Sequence, residues 1–454
     1  MIAPARAAAF DVLRAVSSGR ADLPTALARV RACLPDERDR ALAGEIATGT
    51  LRWQAAFDHL ITAFARRAPA RLDAEVLDIL RLTAFQLLHL DRIPASAAVH
   101  DAVQLARKAG KASAAGLVNA VLRRISRERA HLPLPSRPAV PGTRSSDLSY
   151  LSVTLSHPEW LVARWIDRYG FEAAEAWAIF NNSPAALTLR ANTLRTSREA
   201  LAARLAAAGV HTAPARFAPD GLVVGHGNPL LTPLAREGLF LVQDEASQLV
   251  ALLTAAAPGE RVLDGCASPG GKTIAMASRM GDRGRVVATD LRGRRVELLA
   301  RTVAEAGAKG VSVVRADVTA ALPFGCVFDC VLLDAPCSGL GTLRRDPDIR
   351  WKRAEADLVP LAATQLAMLD RVATVIKPGG RLVYSTCSSE PDENELVVRD
   401  FLLEHPAFRR APVEAVPPSL KRFLTSQGDF RTFPFRDQLE AFFGAMLVKT
   451  KDLR

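Results

Sequence analysis

The chain has 454 residues and is 49% hydrophobic, which is too much for one core and sets an expectation of two to four folded domains. Its 59 Lys and Arg against 48 Asp and Glu give a net charge of +11, an arginine-rich excess that suits a polyanionic partner because guanidinium forks match phosphate geometry. Six cysteines are few for this length, no apolar run nears the ~18 residues of a membrane span, and Arg6 and Asp11 break the N-terminal apolar stretch, so a disulfide scaffold, a membrane span and a signal peptide are all disfavoured and a cytoplasmic protein with free thiols is expected.

From about residue 3 to 130 apolar residues recur every three or four positions, over 7–13, 41–53, 57–65, 74–90 and 97–109. That period belongs to amphipathic helices, and residues 1–130 are expected to form an all-α domain. Residues 131–156, rich in Pro, Ser, Gly and Arg, read as a linker. Between 157 and 250, short helices at 159–169 and 198–208 mix with β-like runs at 186–190, 221–224 and 239–242, a small α+β module. From 251 to 454, strands at 261–263, 285–288, 311–314, 329–333 and 381–384 alternate with helices at 272–279, 293–306, 354–376 and 391–404. This alternation predicts a doubly wound parallel sheet of the α/β, Rossmann-like kind. The run 442–448 is expected to add an edge strand.

Ligands of such sheets bind beyond the carboxyl ends of the strands, so the residues just after each strand carry the functional reading. The first strand runs into Asp264-Gly265-Cys266-Ala267-Ser268-Pro269-Gly270-Gly271-Lys272-Thr273, and acids end the next three strands: Asp290, Asp317 and Asp334. The glycines allow close backbone approach to a bound molecule. Asp290 is placed to accept hydrogen bonds from two ribose hydroxyls. A phosphate-binding loop of the G-x-x-x-x-G-K-[ST] type is the competing reading. Cys266 stands where its first glycine is required, and Pro269 removes an amide donor that a phosphate cradle would use.

Two turns about fifty residues apart carry thiols directly after apolar strands: Asp334-Ala335-Pro336-Cys337-Ser338 and Ser385-Thr386-Cys387-Ser388. A thiolate adding to carbon 6 of a pyrimidine turns the ring into an enamine-like nucleophile at carbon 5, splitting one hard step into two easier ones. Removing the carbon 5 proton and expelling the sulfur is work for a second group, acting as general base. With the glycine turn upstream, these two turns point to methyl transfer. Asp334 is expected to hydrogen-bond the base near N3 and its exocyclic amine. Spacing leaves open which thiol attacks and which assists release. Cys326 and Cys330 lack partners at metal-ligand spacing and read as structural; no metal is expected. Downstream, Arg344-Arg345-Asp346-Pro347-Asp348-Ile349-Arg350-Trp351-Lys352-Arg353 brings positive groups and an indole together, an expected polynucleotide contact with Trp351 stacking on an unpaired base. Arg123, Arg124, Arg127 and Arg129 form a second basic run.

These residues resemble the bacterial 16S rRNA cytosine-C5 methyltransferases of the Sun/Fmu (RsmB) type over nearly the whole chain. The segments Ala98-Val99-His100-Asp101-Ala102-Val103 and Gly116-Leu117-Val118-Asn119-Ala120-Val121-Leu122-Arg123-Arg124 are similar to the NusB fold that this family carries as an RNA-binding extension. Leu189-Arg190-Ala191-Asn192-Thr193-Leu194 and Val242-Gln243-Asp244-Glu245-Ala246-Ser247 are similar to motifs bordering its catalytic domain. The resemblance implies a NusB-like domain, an α+β module and a class I methyltransferase domain. It implies S-adenosyl-L-methionine bound by Cys266, Ala267, Ser268, Pro269, Gly270, Gly271 and Lys272, with Asp290, Asp317 and Asp334 completing the pocket. It makes Cys387 the nucleophile and Cys337 the residue that helps product leave, with Asp334 and Lys272 beside them. The implied target is cytosine 967 of 16S rRNA not yet assembled into the small subunit, acted on by a monomer.

Two departures stand out: Ser268 where Ala is usual, which is nearly isosteric, and Glu440-Ala441 where an Asp-Gly pair is common before Phe442-Phe443. Enzymes that methylate DNA bases attack from a Pro-Cys turn like Pro336-Cys337, which is the reversed assignment. A C5-methyltransferase for transfer RNA or another ribosomal cytosine is the nearest rival function. A non-catalytic RNA-binding assembly factor is the other, and would have no reason to keep Asp334, Cys337 and Cys387 together.

Overall fold

A computed structural model describes residues 2–451. The chain divides into two compact units, one formed by residues up to Ser183 together with Leu343–Glu355, the other by Pro184–Thr342 and the chain from Ala356 onward. No helix among the described residues is long and apolar enough to cross a membrane.

The first unit is helical. Helices Pro4–Ser17, Leu23–Cys33, Glu37–Arg52, Gln54–Ala65, Ala74–His89, Ala95–Lys108 and Ala115–Arg127 pack so that Val12, Ile46, Leu60, Ile79, Leu80, Leu122 and Ile125 share one core, with Ala74–His89 buried on most of its circumference. Their starts follow capping chemistry: Asp22 accepts from the Thr25 amide at 2.8 Å and Asp36 from the Arg38 amide at 2.7 Å, pairing amides the helix leaves without partners. The helices at 23–33 and 115–127 fall within the all-α span expected for residues 1–130, the latter burying Val118, Val121, Leu122 and Ile125 at helical spacing. The segment expected as a linker is partly ordered into helix, Arg144–Ser149 running into Tyr150–Thr154. Helices Glu159–Tyr169 and Phe171–Asn182 stack Trp165 on Trp177 with centroids 4.6 Å apart. Thus of the α+β module expected at 157–250, the helix at 159–169 falls in the first unit, while helix Arg198–Ala207 and the strands fall in the second.

Residues 343–355 hold the largest difference from expectation. Arg350 is 1% exposed and donates through Nη1 to Arg52 O, Ser156 O and Asn182 Oδ1 at 3.0, 2.9 and 2.8 Å, and through Nη2 to Asn181 O at 3.0 Å. Trp351 Nε1 donates to Leu51 O at 2.7 Å, and Asp348 Oδ2 accepts from the Leu23 amide. Arg344 lies 4.4 Å over the Phe180 ring. The segment is therefore a docked plug, and Trp351 is not held out for a base; Arg350 is held by the backbone carbonyls of residues 52, 156 and 181 and by the Asn182 side chain.

In the second unit, β1 (Thr188–Ala191), β2 (His211–Pro214), β3 (Gly221–His226) and β4 (Phe240–Val242) form an antiparallel sheet in the order β2-β3-β1-β4, with helix Arg198–Ala207 on one face. Among these, β2 is missed by sequence reading because its exposed, polar run lacks an apolar alternation. The larger sheet contains β5 (Arg261–Asp264), β6 (Arg285–Asp290), β7 (Val311–Arg315), β8 (Phe328–Asp334), β9 (Ile376–Thr386), β10 (Phe408–Arg410), β11 (Phe430–Arg431) and β12 (Phe443–Lys449). Its order is β10-β12-β9-β8-β5-β6-β7, with β11 beside β12. Strands β5 to β9 are parallel, whereas β12 runs antiparallel between β9 and β10, an inner position rather than the edge expected for it. Alternate residues bury opposite faces: Val262, Cys330 and Leu332 on one, Leu263, Val331 and Leu333 on the other, as a sheet covered on both sides requires. The chain runs outward in opposite directions from β5 and β8, so the crevice between their ends is the topological switch point.

Candidate active site

At that switch point β5 ends in Asp264 and β8 in Asp334. The turn after β5 enters helix Gly271–Arg279 through Gly270, whose φ of 108° is a left-handed conformation suited to glycine. Cys266, Ala267, Ser268, Pro269, Gly270 and Gly271 thus form one loop, pinned by Gly265 N to Leu332 O and Ala267 N to Thr289 O, both 2.8 Å. Asp290 ends β6, its carboxylate 3.2 Å from Arg295 Nε, and Arg295 also holds Ser268 O at 2.7 Å. Asp317 lies beyond β7, where hydrogen bonds from the Thr319 side chain and amide hold its carboxyl below the usual range.

Asp264 sits beneath this loop with no exposed surface. Its Oδ2 accepts from Thr273 Oγ1 at 2.7 Å, while Oδ1 has no hydrogen-bond partner among the described residues. Burial pushes its carboxyl up to about 7. An orphaned acceptor under a glycine turn, with Asp290 at the next strand end, is a donor-hungry set that fits a ligand carrying hydroxyl and amine hydrogens. The residues present therefore fit S-adenosyl-L-methionine. Burial pushes the Cys266 thiol up to about 12, which disfavours its thiolate.

The thiols of Cys337 and Cys387 meet, with Sγ to Sγ 3.3 Å. Parallel pairing of β8 with β9 places Asp334 opposite Ser385, so both turns leave the sheet at the same level. Ala335 N donates to Ser385 O and Gly341 N to Cys387 O, at 2.9 and 2.8 Å. A Cβ at Gly341 would strike the carbonyls of Cys387 and Ala441, which explains glycine there without any ligand. Lys272 Nζ reaches Asp334 Oδ2 at 2.7 Å, and Ser385 Oγ donates to Asp334 Oδ1 at 2.8 Å. Burial pulls the Lys272 ammonium down, but Asp334 and Cys387 outweigh it and leave it raised above its ordinary value. The Cys337 thiol is pushed well above its ordinary value, first by its hydrogen bond to Cys387 and then by burial. Cys330 is buried within β8 and Cys326 is exposed ahead of it, away from these groups.

Asp264, Lys272, Asp334, Cys337 and Cys387 are thus brought together, with Asp290 and Asp317 along the same edge of the sheet. Sequence reading missed the buried group that supports the two turns: Gln365, Tyr384, Ser388, Glu393 and Asn394. Only the run of hydroxyl residues after Cys387 hinted at it.

The first unit carries a cleft of about 820 Å³ between helices Ala95–Lys108 and Ala115–Arg127, lined by His100, Arg107, Asn119, Arg123 and Arg127. Of the basic run, Arg124 turns to Phe64, with its guanidinium carbon 4.7 Å from the ring centroid.

Three family descriptions match the chain: the 16S rRNA methyltransferase RsmB/F over residues 251–448, the NusB family over 3–127, and the ferredoxin-like domain of RsmF/B-like methyltransferases over 157–230. A probable ribosomal RNA small subunit methyltransferase B of Bacillus subtilis is 35% identical over 90% of both chains. The ribosomal RNA small subunit methyltransferase B of Pseudomonas putida is 37% identical over 89% of this chain and 90% of its own. The crystal structure of PH0851 superposes with a TM-score of 0.81 at 26% identity, covering 99% of each chain. With the switch-point loop, the strand-end acids and the paired thiols in place, the likeness extends from end to end: this chain belongs to the RsmB/F family of S-adenosyl-L-methionine-dependent 16S rRNA methyltransferases.

Proposed function

We propose that this chain methylates carbon 5 of a cytosine in 16S rRNA, cytosine 967, through a covalent adduct between Cys387 Sγ and carbon 6 of the flipped base. The observation that carries this reading is the 3.3 Å contact of two thiols whose surroundings differ in charge, with Lys272 acting on the Cys387 side and Glu393 on the Cys337 side. Unequal environments divide the roles of a titratable pair. The Cys337 thiol is pushed above its ordinary value by Cys387 and by burial, which supports giving Cys337 the shared proton and Cys387 the attacking role.

Attack at carbon 6 places electron density on carbon 5. Bound S-adenosyl-L-methionine supplies an electrophilic methyl group to that carbon. Asp334, held by Lys272 and Ser385, keeps lone pairs for the exocyclic amine of the base, and for N3 once that nitrogen is protonated in the adduct, because each carboxylate oxygen accepts more than one hydrogen bond. Lys272 balances charge beside both Asp334 and the thiolate. After transfer the carbon 5 proton leaves to solvent, the ring double bond reforms, and the carbon–sulfur bond breaks with Cys337 hydrogen-bonding the departing Cys387 sulfur. Access to carbon 6 requires an unstacked base, which favours RNA not yet buried in a subunit as the substrate. The basic cleft lined by Arg107, Arg123 and Arg127 gives the helical domain an RNA backbone contact.

The test uses a 16S transcript carrying 5-fluorocytidine, whose fluorine cannot leave as a proton does. Wild-type enzyme with the methyl donor should form a denaturation-stable protein–RNA adduct. Cys387→Ala should form none and lose methylation altogether, while Cys337→Ala should still attach to unmodified RNA and fail to let go. An adduct with Cys387→Ala sinks the assignment, and bisulfite sequencing of the product reads the position.

A further inference from the structure

A buried carboxylate joins the two cysteine turns. Glu393 has no exposed surface. Its Oε1 accepts from the Ser338 amide at 2.8 Å and from Gln365 Nε2 at 2.9 Å, and its Oε2 accepts from Ser388 Oγ at 2.6 Å. Ser338 follows Cys337 and Ser388 follows Cys387, and their hydroxyls are 3.1 Å apart. Gln365 Nε2 also reaches Pro336 O at 3.0 Å, on the other side of Cys337. The peptide carbonyl of Glu393 accepts from Tyr384 OH, three residues before Cys387.

Three donors on two oxygens are the surroundings of an ionised, acceptor-only carboxylate. Among the described residues no Lys or Arg pairs with Glu393, so its charge reaches its neighbours uncompensated. Cys337 is one of them: after the hydrogen bond to Cys387, burial and the Cys387 charge, Glu393 is the next influence holding its proton on. We infer that Glu393 is a positioning residue that fixes the two cysteine turns at sulfur contact and keeps the shared proton on Cys337, so that Cys387 is the sulfur free to attack. This deepens the covalent reading and rests on it for its catalytic meaning. A helix-start carboxylate with a purely structural role would brace the turns equally well, yet would not bias one thiol against the other.

The test reads thiol chemistry in the full-length enzyme without RNA. Iodoacetamide labelling of Cys337 and Cys387 is followed by mass spectrometry from pH 6 to 10, beside melting and donor binding. In the wild type Cys387 should label first. Glu393→Gln removes the charge at nearly constant shape, and Cys337 labelling at pH 8 should rise about tenfold, the equivalent of one pKa unit. Turnover should fall with the KM for the methyl donor unchanged. Labelling rates that match wild type while the melting temperature drops would overturn the inference in favour of plain bracing. Glu393→Asp keeps the charge one methylene back and serves if the glutamine variant does not fold: Cys337 should stay slow, and a Cys337 as fast as Cys387 would overturn the inference. Neither result depends on the RNA, so an error in the proposed substrate would show separately, as failed adduct formation with normal thiol partition.

Discussion

Asp264 shows how far one buried atom shapes this site. Its carboxyl is raised to about 7 by burial, from 3.8. For a raised acid the unfolded chain gives up its proton first, so the folded apo-enzyme loses stability as pH rises from about 4 to 7 and stays at that lower level above. The span corresponds to a loss of up to about 4 kcal/mol at pH 8. Asp264→Asn removes the titration while its side-chain oxygen still accepts from Thr273. The apo variant should therefore melt higher than wild type at pH 8 and no higher at pH 4, while binding the methyl donor more weakly. A variant whose melting temperature tracks wild type at both pH values would show that Asp264 is not the strained acid described here. The two cysteines and four strand-end acids could be singled out in the sequence because each lies at or just beyond the end of a strand-like run, and strand ends of such sheets face the ligand. Glu393 was not legible: it sits in Pro-Asp-Glu-Asn-Glu, where acids at a helix start already have an ordinary explanation in the helix dipole. Its importance comes from Ser338, 55 positions away, which no local pattern connects to it.

At the scale of elements, periodicity recovered the parts whose burial is one-sided or complete. The five parallel strands and helix Gly293–Ala306 fell where expected because runs such as Val331-Leu332-Leu333 are buried on both faces. Strand β12 was legible as a strand but not in its inner place, since pairing with β9 and β10 is decided by long-range register. The basic helix Ala115–Arg127 splits its arginines between two jobs, which a linear run of charge conceals. Arg124 lies over Phe64 and pairs with Glu128 at 2.9 Å, whereas Arg123 and Arg127 line the cleft with Arg107. If the cleft holds RNA phosphates, Arg123→Ala with Arg127→Ala should weaken RNA binding and reduce the slope of log affinity against log salt by about 2, roughly one for each phosphate that is no longer neutralised. Donor binding should not change. Filter binding over a salt series reads both, and an unaltered slope would remove the cleft from the RNA path. Arg124→Ala should act on the melting temperature instead, because the Phe64 ring would lose the guanidinium that covers it.

For the whole molecule, the consequential feature is that the helical unit is not a continuous stretch of chain. Residues 343–355 leave the sheet-bearing unit and complete the helical one, and the buried Arg350 satisfies four acceptors contributed by residues 52, 156, 181 and 182. Sequence alone made this segment an exposed basic patch, since composition cannot tell an arginine that meets phosphate from one that meets orphaned carbonyls. Burial, with Arg52 near, pulls its guanidinium well below the ordinary range, so its hydrogen bonds offset a large desolvation cost and their loss would leave buried acceptors unpaired. A chain cut between Ser183 and Pro184 should therefore reassemble. Fragments 1–183 and 184–454, expressed together, should copurify through the 343–355 plug. Arg350→Ala in the second fragment should abolish capture, because removing one partner of a buried hydrogen-bond set typically costs about 1 to 3 kcal/mol per group left unmet. Trp351→Ala should weaken it less, through one hydrogen bond to Leu51 O. Loss of pull-down with Arg350→Ala, with both fragments still melting cooperatively, marks the plug as the joint; undiminished capture would mean that the helical unit closes without it.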